Sequence, residues 1–407
     1  MKKMIICLIV LSAFISATAK NSRSKSSNTD SCQPVLAEES DLKFTYYEKN
    51  MTAEVAKEKN KDIETVIIPY KVKKDGKIYD VTSIGKSAFY LCSSMTSIKI
   101  PESVTCIGEW AFNYCSSLTS IVIPKSVTSI GMCAFSDCSS LTSFVIPESV
   151  TSIEKFTFNS CKSLTSIKIP KSVTSIGEEA FKDCSSLTRF VIPESVTSIG
   201  DGAFWNCSKL NSIVIPDDVT SIGEKAFGGC SSLTNITVSS ENKNYTSVDG
   251  VLYNKDITEL LACPGGLKSI EIPKSVTNIG KYAFAVCSSL TNIKIPESVT
   301  SIGENAFRFC RSLSSIMIPE SVKNIRKEAF LCCSSLTSIV ISEGMTSIGD
   351  WAFSGCSSLT NIKIPESVTS IGDFAFYFCD SLKTAKVPEG LDISDEVFPE
   401  TTDIIRY

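Results

Sequence analysis

A unit of 23 residues repeats seven times in succession from Val81 onward, and this repeat limits the fold more than any other feature of the chain. After an interruption, the unit returns for five further copies. The first residues of the twelve copies are Val81, Val104, Val127, Val150, Val173, Val196, Val219, Val276, Val299, Val322, Met345 and Val368. A period near twenty residues indicates a solenoid, in which each copy forms one turn of the coil, called a rung below.

Apolar side chains recur at positions 1, 4, 8, 9, 12, 15, 18 and 20 of each copy, counted from its first residue. In the second copy they are Val104, Ile107, Ala111, Phe112, Cys115, Leu118, Ile121 and Ile123. This spacing fits neither a long helix nor a long strand. The alternation near the end predicts a short strand with Ile121 and Ile123 pointing inward and Val122 pointing outward, and Pro124 ends that strand.

The segment from position 4 to position 9 predicts a compact turn or a single helical coil. Position 5 is glycine in ten of the twelve copies, and we expect this glycine to hold a positive φ, which would be costly for a residue with a Cβ. Glu154 and Arg326 occupy the position in the other two copies. The rungs of Glu154 and Arg326 are therefore predicted to be locally rearranged.

The pattern V-T-S-I-G-x-x-A-F-x-x-C-S-S-L-T-S-I-x-I-P-x-S resembles the BspA-type leucine-rich repeats of bacterial and protozoan surface proteins, over about residues 61–391. The resemblance implies an α/β repeat solenoid. Such a solenoid is a leucine-rich-repeat-like right-handed coil of short strands and turns or short helical coils, with a period of 23 residues. It also implies attachment at a cell surface, with partners that vary within the family.

The chain divides into five predicted segments. Lys2 and Lys3, an apolar run and Ala17-Thr18-Ala19 indicate a secretory signal peptide at 1–19, although a membrane anchor is the alternative. A flexible leader follows at 20–40, then an N-terminal cap at 41–80. The solenoid occupies 81–390 and includes an enlarged rung at 239–266, in which Asp249-Gly250 predicts a type I′ hairpin. A closing segment covers 391–407, and no later run of the chain predicts a transmembrane segment.

The placement of the 18 cysteines argues against a disulfide framework. Twelve of them stand at repeat position 12, where a small buried thiol would pack beneath the turn. We expect a ladder of free thiols, with metal binding as the less favoured alternative. Cys106 and Cys133 lie in successive copies, and the sequence is compatible both with a bridge between them and with two unbridged thiols.

The composition excludes several kinds of chemistry. The chain contains no histidine, so Ser-His-Asp and Cys-His arrangements cannot form. No phosphate-binding glycine motif is found in the sequence. The net charge of −4, with acidic and basic residues interspersed, does not indicate a nucleic-acid partner. We therefore expect a protein that is not an enzyme and that has no cofactor and no metal site.

Two faces of the solenoid carry candidate binding residues. Outward positions of the predicted strands supply Lys99, Val122, Val145 and Lys168, and variable positions of the turn supply Trp110, Tyr114, Trp205, Trp351 and Phe374. Large aromatic side chains on a variable outer face are typical interface anchors. In the alternative interpretation, the strands form only a solvated sheet and the aromatic side chains fold over the neighbouring turn.

We interpret the chain as a secreted or cell-surface leucine-rich repeat protein that binds other macromolecules. The resemblance favours an adhesin for host proteins, such as extracellular matrix or serum proteins. The alternative is a structural surface or spacer protein without a specific ligand. The sequence leaves the oligomeric state open.

Overall fold

The computed structural model describes residues 42–58 and 60–407, and within them the chain forms short strands and turns with no helix. The predicted signal peptide and leader lie outside these residues. No helix in the described part of the chain is long and apolar enough to cross a membrane. The strands are β1 Phe44–Tyr47, β2 Thr52–Val55, β3 Thr65–Ile67, β4 Lys71–Lys74, β5 Lys77–Ile84, β6 Ser97–Lys99, β7 Cys106–Ile107, β8 Ser129–Ile130, β9 Ser143–Val145, β10 Ser152–Ile153, β11 Ser166–Lys168, β12 Ser175–Ile176, β13 Ser198–Ile199, β14 Ser212–Ile215, β15 Ser221–Ile222, β16 Asn235–Val238, β17 Tyr245–Val248, β18 Val251–Asn254, β19 Glu259–Ala262, β20 Asn278–Ile279, β21 Ser301–Ile302, β22 Ser315–Met317, β23 Asn324–Ile325, β24 Ser338–Val340, β25 Ser347–Ile348, β26 Asn361–Lys363, β27 Ser370–Ile371, β28 Thr384–Val387 and β29 Asp403–Arg406.

The rungs stack in parallel with a register of one repeat, which confirms the predicted leucine-rich-repeat-like solenoid. Ser175 and Ile176 of β12 pair with Ser198 and Ile199 of β13, 23 residues further along the chain. Two sets of strands run along the stack. The two-residue strands at repeat positions 3 and 4 form one set, and the strands that begin at position 17, such as β9 and β11, form the other.

In the core, side chains of the same repeat position lie above one another, and the Phe residues at position 9 form a stacked column. Successive Phe residues at position 9 stack nearly parallel, with ring centroids 5.4 Å apart for Phe89 and Phe112 and 4.6 Å apart for Phe284 and Phe307. Such offset stacks add a small favourable contribution beyond the area that they bury. Because each ring packs on the rings above and below it, no rung can bury its own Phe alone.

The predicted thiol ladder lies beside this column. All twelve position-12 cysteines are buried, and the sixteen cysteines of the described residues are free, including Cys106 and Cys133. In ten rungs, the thiol donates to the carbonyl of the Phe in the preceding rung, as Cys184 Sγ does to Phe158 O at 3.1 Å. Sulfur therefore fills the space beneath the turn and also links neighbouring rungs.

The expected positive φ at position 5 is wrong, since the left-handed residues stand at positions 7 and 11 instead. Position 7 has a positive φ in all twelve copies, including Trp110 at 60° and Phe374 at 58°, and so does position 11, including Tyr114 at 62°. These left-handed residues turn the chain out of a right-handed helix, which explains why a turn forms and not a helical coil. Position 5 is glycine because the preceding rung lies too close for a Cβ. A Cβ on Gly200 would lie 2.5 Å from the backbone nitrogen of Glu178.

The two rungs without this glycine are rearranged as predicted. In most rungs, the position-5 amide donates to the position-4 carbonyl of the preceding rung, as Gly177 N does to Ile153 O at 2.8 Å. Among the described residues, Glu154 and Arg326 make no such bond. The ladder of two-residue strands is interrupted between β8 and β10, at the rung of Glu154. A side chain at position 5 thus removes the position-5 bond to the preceding rung in both cases, and at Glu154 the strand pairing is lost as well.

The segment between the two blocks of repeats contains three strands. β17 and β18 form an antiparallel hairpin, and its turn residues Asp249 and Gly250 have φ values of 49° and 79°, as a type I′ turn requires. β18 pairs with β19, and β19 pairs in parallel with β20 of the next rung. At the ends of the solenoid, β2 pairs with β5 in the predicted cap, and β29 of the closing segment pairs with β28.

Candidate functional site

Outward side chains of the position-17 strands form a continuous row, called the strand face below. Lys99, Val145 and Lys168 end their strands and are exposed, and Val145 pairs directly with Lys168. Val122 lies between them and is 82% exposed, although its own segment is not assigned as a strand. The structure thus places all four predicted strand residues on one face, about 4.8 Å apart from rung to rung.

The row continues beyond the residues chosen from the sequence. Val191 is 76% exposed, and Val214 is exposed at the next rung. In the second block, Met317 of β22 pairs with Val340 of β24, and both are exposed. Their outward position was visible in the sequence as the residue between the two buried positions of each strand. The row therefore extends beyond the four strand residues chosen from the sequence, and a role for any of them in binding stays a prediction.

Charged side chains also stand in this row. Lys363 Nζ lies 3.3 Å from Glu343 Oε1 and 5.2 Å from the centre of the Tyr407 ring. The hydrogen bond that Lys363 donates to the Glu343 carboxylate raises the pKa of Lys363. The strand face therefore combines exposed branched aliphatic side chains with fixed cationic groups.

The aromatic side chains of the turn lie mostly against neighbouring rungs. Trp351 stacks on Phe374 with ring centroids 4.5 Å apart, and Tyr377 meets both rings edge-on. The Trp205 ring lies over Gly228 of the next rung, where a Cβ would overlap it. These three candidates are half-buried, and so is Trp110.

Two turn aromatics remain more accessible. Tyr114 is 44% exposed and meets Tyr90 edge-on, with 6.2 Å between the ring centroids. Phe378 is 58% exposed at the end of the cluster formed with Tyr377. Most turn aromatics thus extend the core over the adjacent turn, whereas the strand face leaves its apolar side chains open to a partner.

The described residues contain no cluster of three or more His, Cys, Asp or Glu side chains placed to hold a metal ion. Burial raises the pKa of Cys133, which stands on the turn, to about 11, so its thiol stays protonated at neutral pH. A protonated thiol is a poor nucleophile.

Comparison with known proteins places the chain in a family. The model of the BspA type leucine rich repeat region matches residues 59–188, 151–265, 258–349 and 332–406. A leucine rich cell surface protein from Faecalibacterium prausnitzii A2-165 is 33% identical, with 93% of this chain and 96% of that chain covered and a TM-score of 0.71. A leucine-rich repeat protein from Bacteroides ovatus ATCC 8483 is 27% identical, with 90% of this chain and 98% of that chain covered and a TM-score of 0.53.

The pneumococcal vaccine antigen PcpA shares the fold, at 23% identity, with 90% of this chain and 91% of that chain covered and a TM-score of 0.63. No match was found among curated protein sequences. The match to the family model covers nearly all of the described residues, and the 33% identical structure is covered almost completely. The chain therefore belongs to the BspA-type leucine-rich repeat family, as its repeat pattern predicts.

Proposed function

We propose that the protein is a secreted or cell-surface adhesin that binds host or matrix proteins along its strand face without catalysing a reaction. The 33% identical relative is named as a cell surface protein, which supports this location. The observation that carries the proposal is the row of exposed valine and lysine side chains through Val122, Val145 and Lys168. Soluble proteins rarely leave contiguous apolar side chains open unless a partner covers them.

The regular spacing of the row determines how a partner binds. Each rung contributes one or two outward side chains, whereas a standard interface needs about 800 Å² per partner. A partner must therefore contact several successive rungs. Burying a valine such as Val122 completely contributes about 1.5–3 kcal/mol, so affinity is spread over the row.

The first experiment measures binding of the full chain to a panel of purified extracellular matrix and serum proteins by surface plasmon resonance. We expect the Lys99→Glu, Lys168→Glu double variant to lose more than about tenfold in affinity, which corresponds to about 1.4 kcal/mol. The matched control is Lys99→Arg with Lys168→Arg, which keeps the charge. Both lysines are exposed, so circular dichroism should be unchanged in both variants.

A second pair of changes tests the turn face. We expect Trp351→Ala with Phe374→Ala to leave affinity within about twofold, because these rings pack mainly on each other. If this pair abolishes binding while the lysine pair does not, the turn face is the binding surface. If neither pair affects binding and both proteins remain folded, neither face is the binding surface. If no protein of the panel binds, the protein is a spacer without a specific ligand.

A further inference from the structure

Backbone hydrogen bonds between neighbouring turns follow one rule along most of the solenoid. The amides at positions 7, 9 and 11 donate to the carbonyls at positions 6, 8 and 10 of the next rung. In the second copy, Trp110 N donates to Met132 O at 3.0 Å, and Phe112 N and Tyr114 N follow the same pattern. All three bonds form in the first six copies and in the copies that begin at Val276, Val299, Val322 and Met345.

The copy that begins at Val219 breaks this rule completely. Lys225 N, Phe227 N and Gly229 N find no acceptor among the described residues. On the opposite side, Lys281 O and Ala285 O receive no hydrogen bond within the same described set. In the described part of the chain, the amide donors of this copy and these two carbonyl acceptors of the next repeat copy are thus left without hydrogen bonds to each other or to the segment between them.

A shortened turn in the enlarged rung causes the gap. Leu260 pairs with Ile279, which is the role of position 4. Cys263 N donates to Ala283 O at 2.7 Å and Cys263 O accepts from the Cys287 thiol, which are the roles of position 9. Leu261 and Ala262 alone lie between Leu260 and Cys263, whereas a standard turn has four residues there, 108–111 in the second copy. The middle of this turn is therefore missing.

A cavity of about 340 Å³ occupies the space, and we call it the notch. Lys225, Phe227, Ala262, Lys281 and Ala285 are among the residues that line it. Its walls belong to copies on either side of the shortened turn, so they stand about two strand spacings, roughly 9.6 Å, apart. This is the width that one extended backbone fills when it bonds to both neighbours.

We propose that the notch binds an extended segment of a partner protein, which enters as the missing turn and bonds to both walls through its backbone. Amide donors on one wall and carbonyl acceptors on the other require a ligand that carries both groups, and a peptide backbone does so. An exposed edge of backbone groups is a known way to recognise an extended peptide. The proposal is independent of the strand face.

The charges around the notch select the side chains of the segment. Lys281 lies 3.7 Å from Glu224 and 3.6 Å from Glu304, and Glu259 accepts a hydrogen bond from Asn278. Arg326 also lines the notch and makes no ion pair among the described residues. The unpaired guanidinium favours a segment with an acidic side chain.

The test uses the full chain and a synthetic peptide with the sequence of residues 176–183, acetylated and amidated, which contains a complete acidic turn. Amide hydrogen exchange is followed by NMR. Without peptide, the Lys225, Phe227 and Gly229 amides should exchange much faster than Phe112. With millimolar peptide, exchange should slow by about tenfold or more at the amides of Lys225 and Phe227, which line the notch, and at the Gly229 amide beside it, since a bonded amide exchanges only on opening.

Two controls separate backbone recognition from charge attraction. The same peptide, methylated at the backbone nitrogens that would donate to Lys281 O and Ala285 O, keeps its charges and carbonyls but loses the bonds to that wall, so it should bind more weakly and give clearly less protection. The Arg326→Ala variant should weaken protection about threefold or more, consistent with a loss of one charged contact. If the unmodified peptide leaves exchange unchanged at Lys225, Phe227 and Gly229, the notch holds only water and the proposal is wrong. Equal protection by the methylated peptide would also overturn it.

Discussion

Replacing Gly200 with alanine tests why the repeat keeps a glycine at position 5. The added Cβ would lie 2.5 Å from Glu178 N and 2.6 Å from the carbonyl carbon of Gly177. Both atoms belong to the backbone of the preceding rung and cannot rotate away. Because carbon atoms pack at about 3.5–4.0 Å, the two rungs must separate by roughly 1 Å.

The expected cost follows from the contacts that this separation disturbs. Gly200 N donates to Ile176 O at 2.8 Å, and losing this bond costs about 0.5–1.5 kcal/mol. Forcing an extra methyl group into a packed site costs a further ~1–3 kcal/mol. Alanine also restricts the unfolded chain, which stabilises the folded protein by about 0.4–1 kcal/mol. We expect a net loss of about 0.5–4 kcal/mol in the free energy of unfolding.

Urea unfolding followed by circular dichroism measures this loss, and amide exchange at residue 200 reports the broken bond. The matched control is Glu154→Ala, at a position 5 that already carries a side chain and lacks the cross-rung bond. We expect that change to stay within about 0.5 kcal/mol of the original protein. If Gly200→Ala is as stable as the original protein, the close approach of the rungs does not explain the glycine.

Two further predictions concern the thiol ladder. Burial raises the pKa of Cys230 and Cys379 from the usual thiol value of 9.0 to about 12. At a pH above 9.0, these thiols therefore lose their protons in the unfolded chain but keep them in the folded chain. The free energy of unfolding should be unaffected by these thiols below pH 9 and should fall between pH 9 and pH 12. The fall should be up to about 1.4 kcal/mol per pH unit for each such thiol. Urea titrations at several pH values measure this slope, and Cys230→Ala should reduce it. Cys184→Ala should lower the free energy of unfolding by about 1–2 kcal/mol, because it leaves a small cavity. The control is Cys106→Ala, at a partly exposed position, which should change stability little. Equal stabilities of the two variants would contradict the packing role.

Most of the fold follows from the spacing of apolar residues. The alternation of Ile121, Val122 and Ile123 predicts which side chains face the core, and the structure buries the two isoleucines and exposes the valine. Asp249-Gly250 predicts its hairpin because few residues accept two consecutive positive φ values. Local chemistry determines these features, so one copy of the repeat is enough to find them.

Features that depend on two rungs at once were harder to predict. The glycine at position 5 was assigned to backbone conformation, whereas contact with the preceding rung is the cause, and one repeat read alone cannot distinguish the two. Positive φ at Trp110 and Phe374 was not expected, because aromatic residues rarely adopt it. In most copies, the bond from the position-7 amide to the next rung, such as that from Trp110 N to Met132 O, compensates for the local cost.

The notch also escaped prediction, although the sequence contains a usable signal. Leu260 and Cys263 match positions 4 and 9 only if two residues are removed from the standard turn. This deletion is hard to find in the sequence, because the hairpin makes the enlarged rung longer in total than a standard repeat. Only the pairing of Leu260 with Ile279 fixes the alignment and exposes the shortened turn.

The direction of the turn hydrogen bonds gives the solenoid a polarity that matters while the chain is being synthesised. Amides such as Phe112 N donate towards the following rung, so every completed turn presents three donors to the residues that emerge next. The left-handed residues of a turn gain their compensating bonds only when that next rung arrives. We therefore expect ordering to advance from the N-terminal end, one repeat behind the ribosome exit, with each rung serving as the template for its successor.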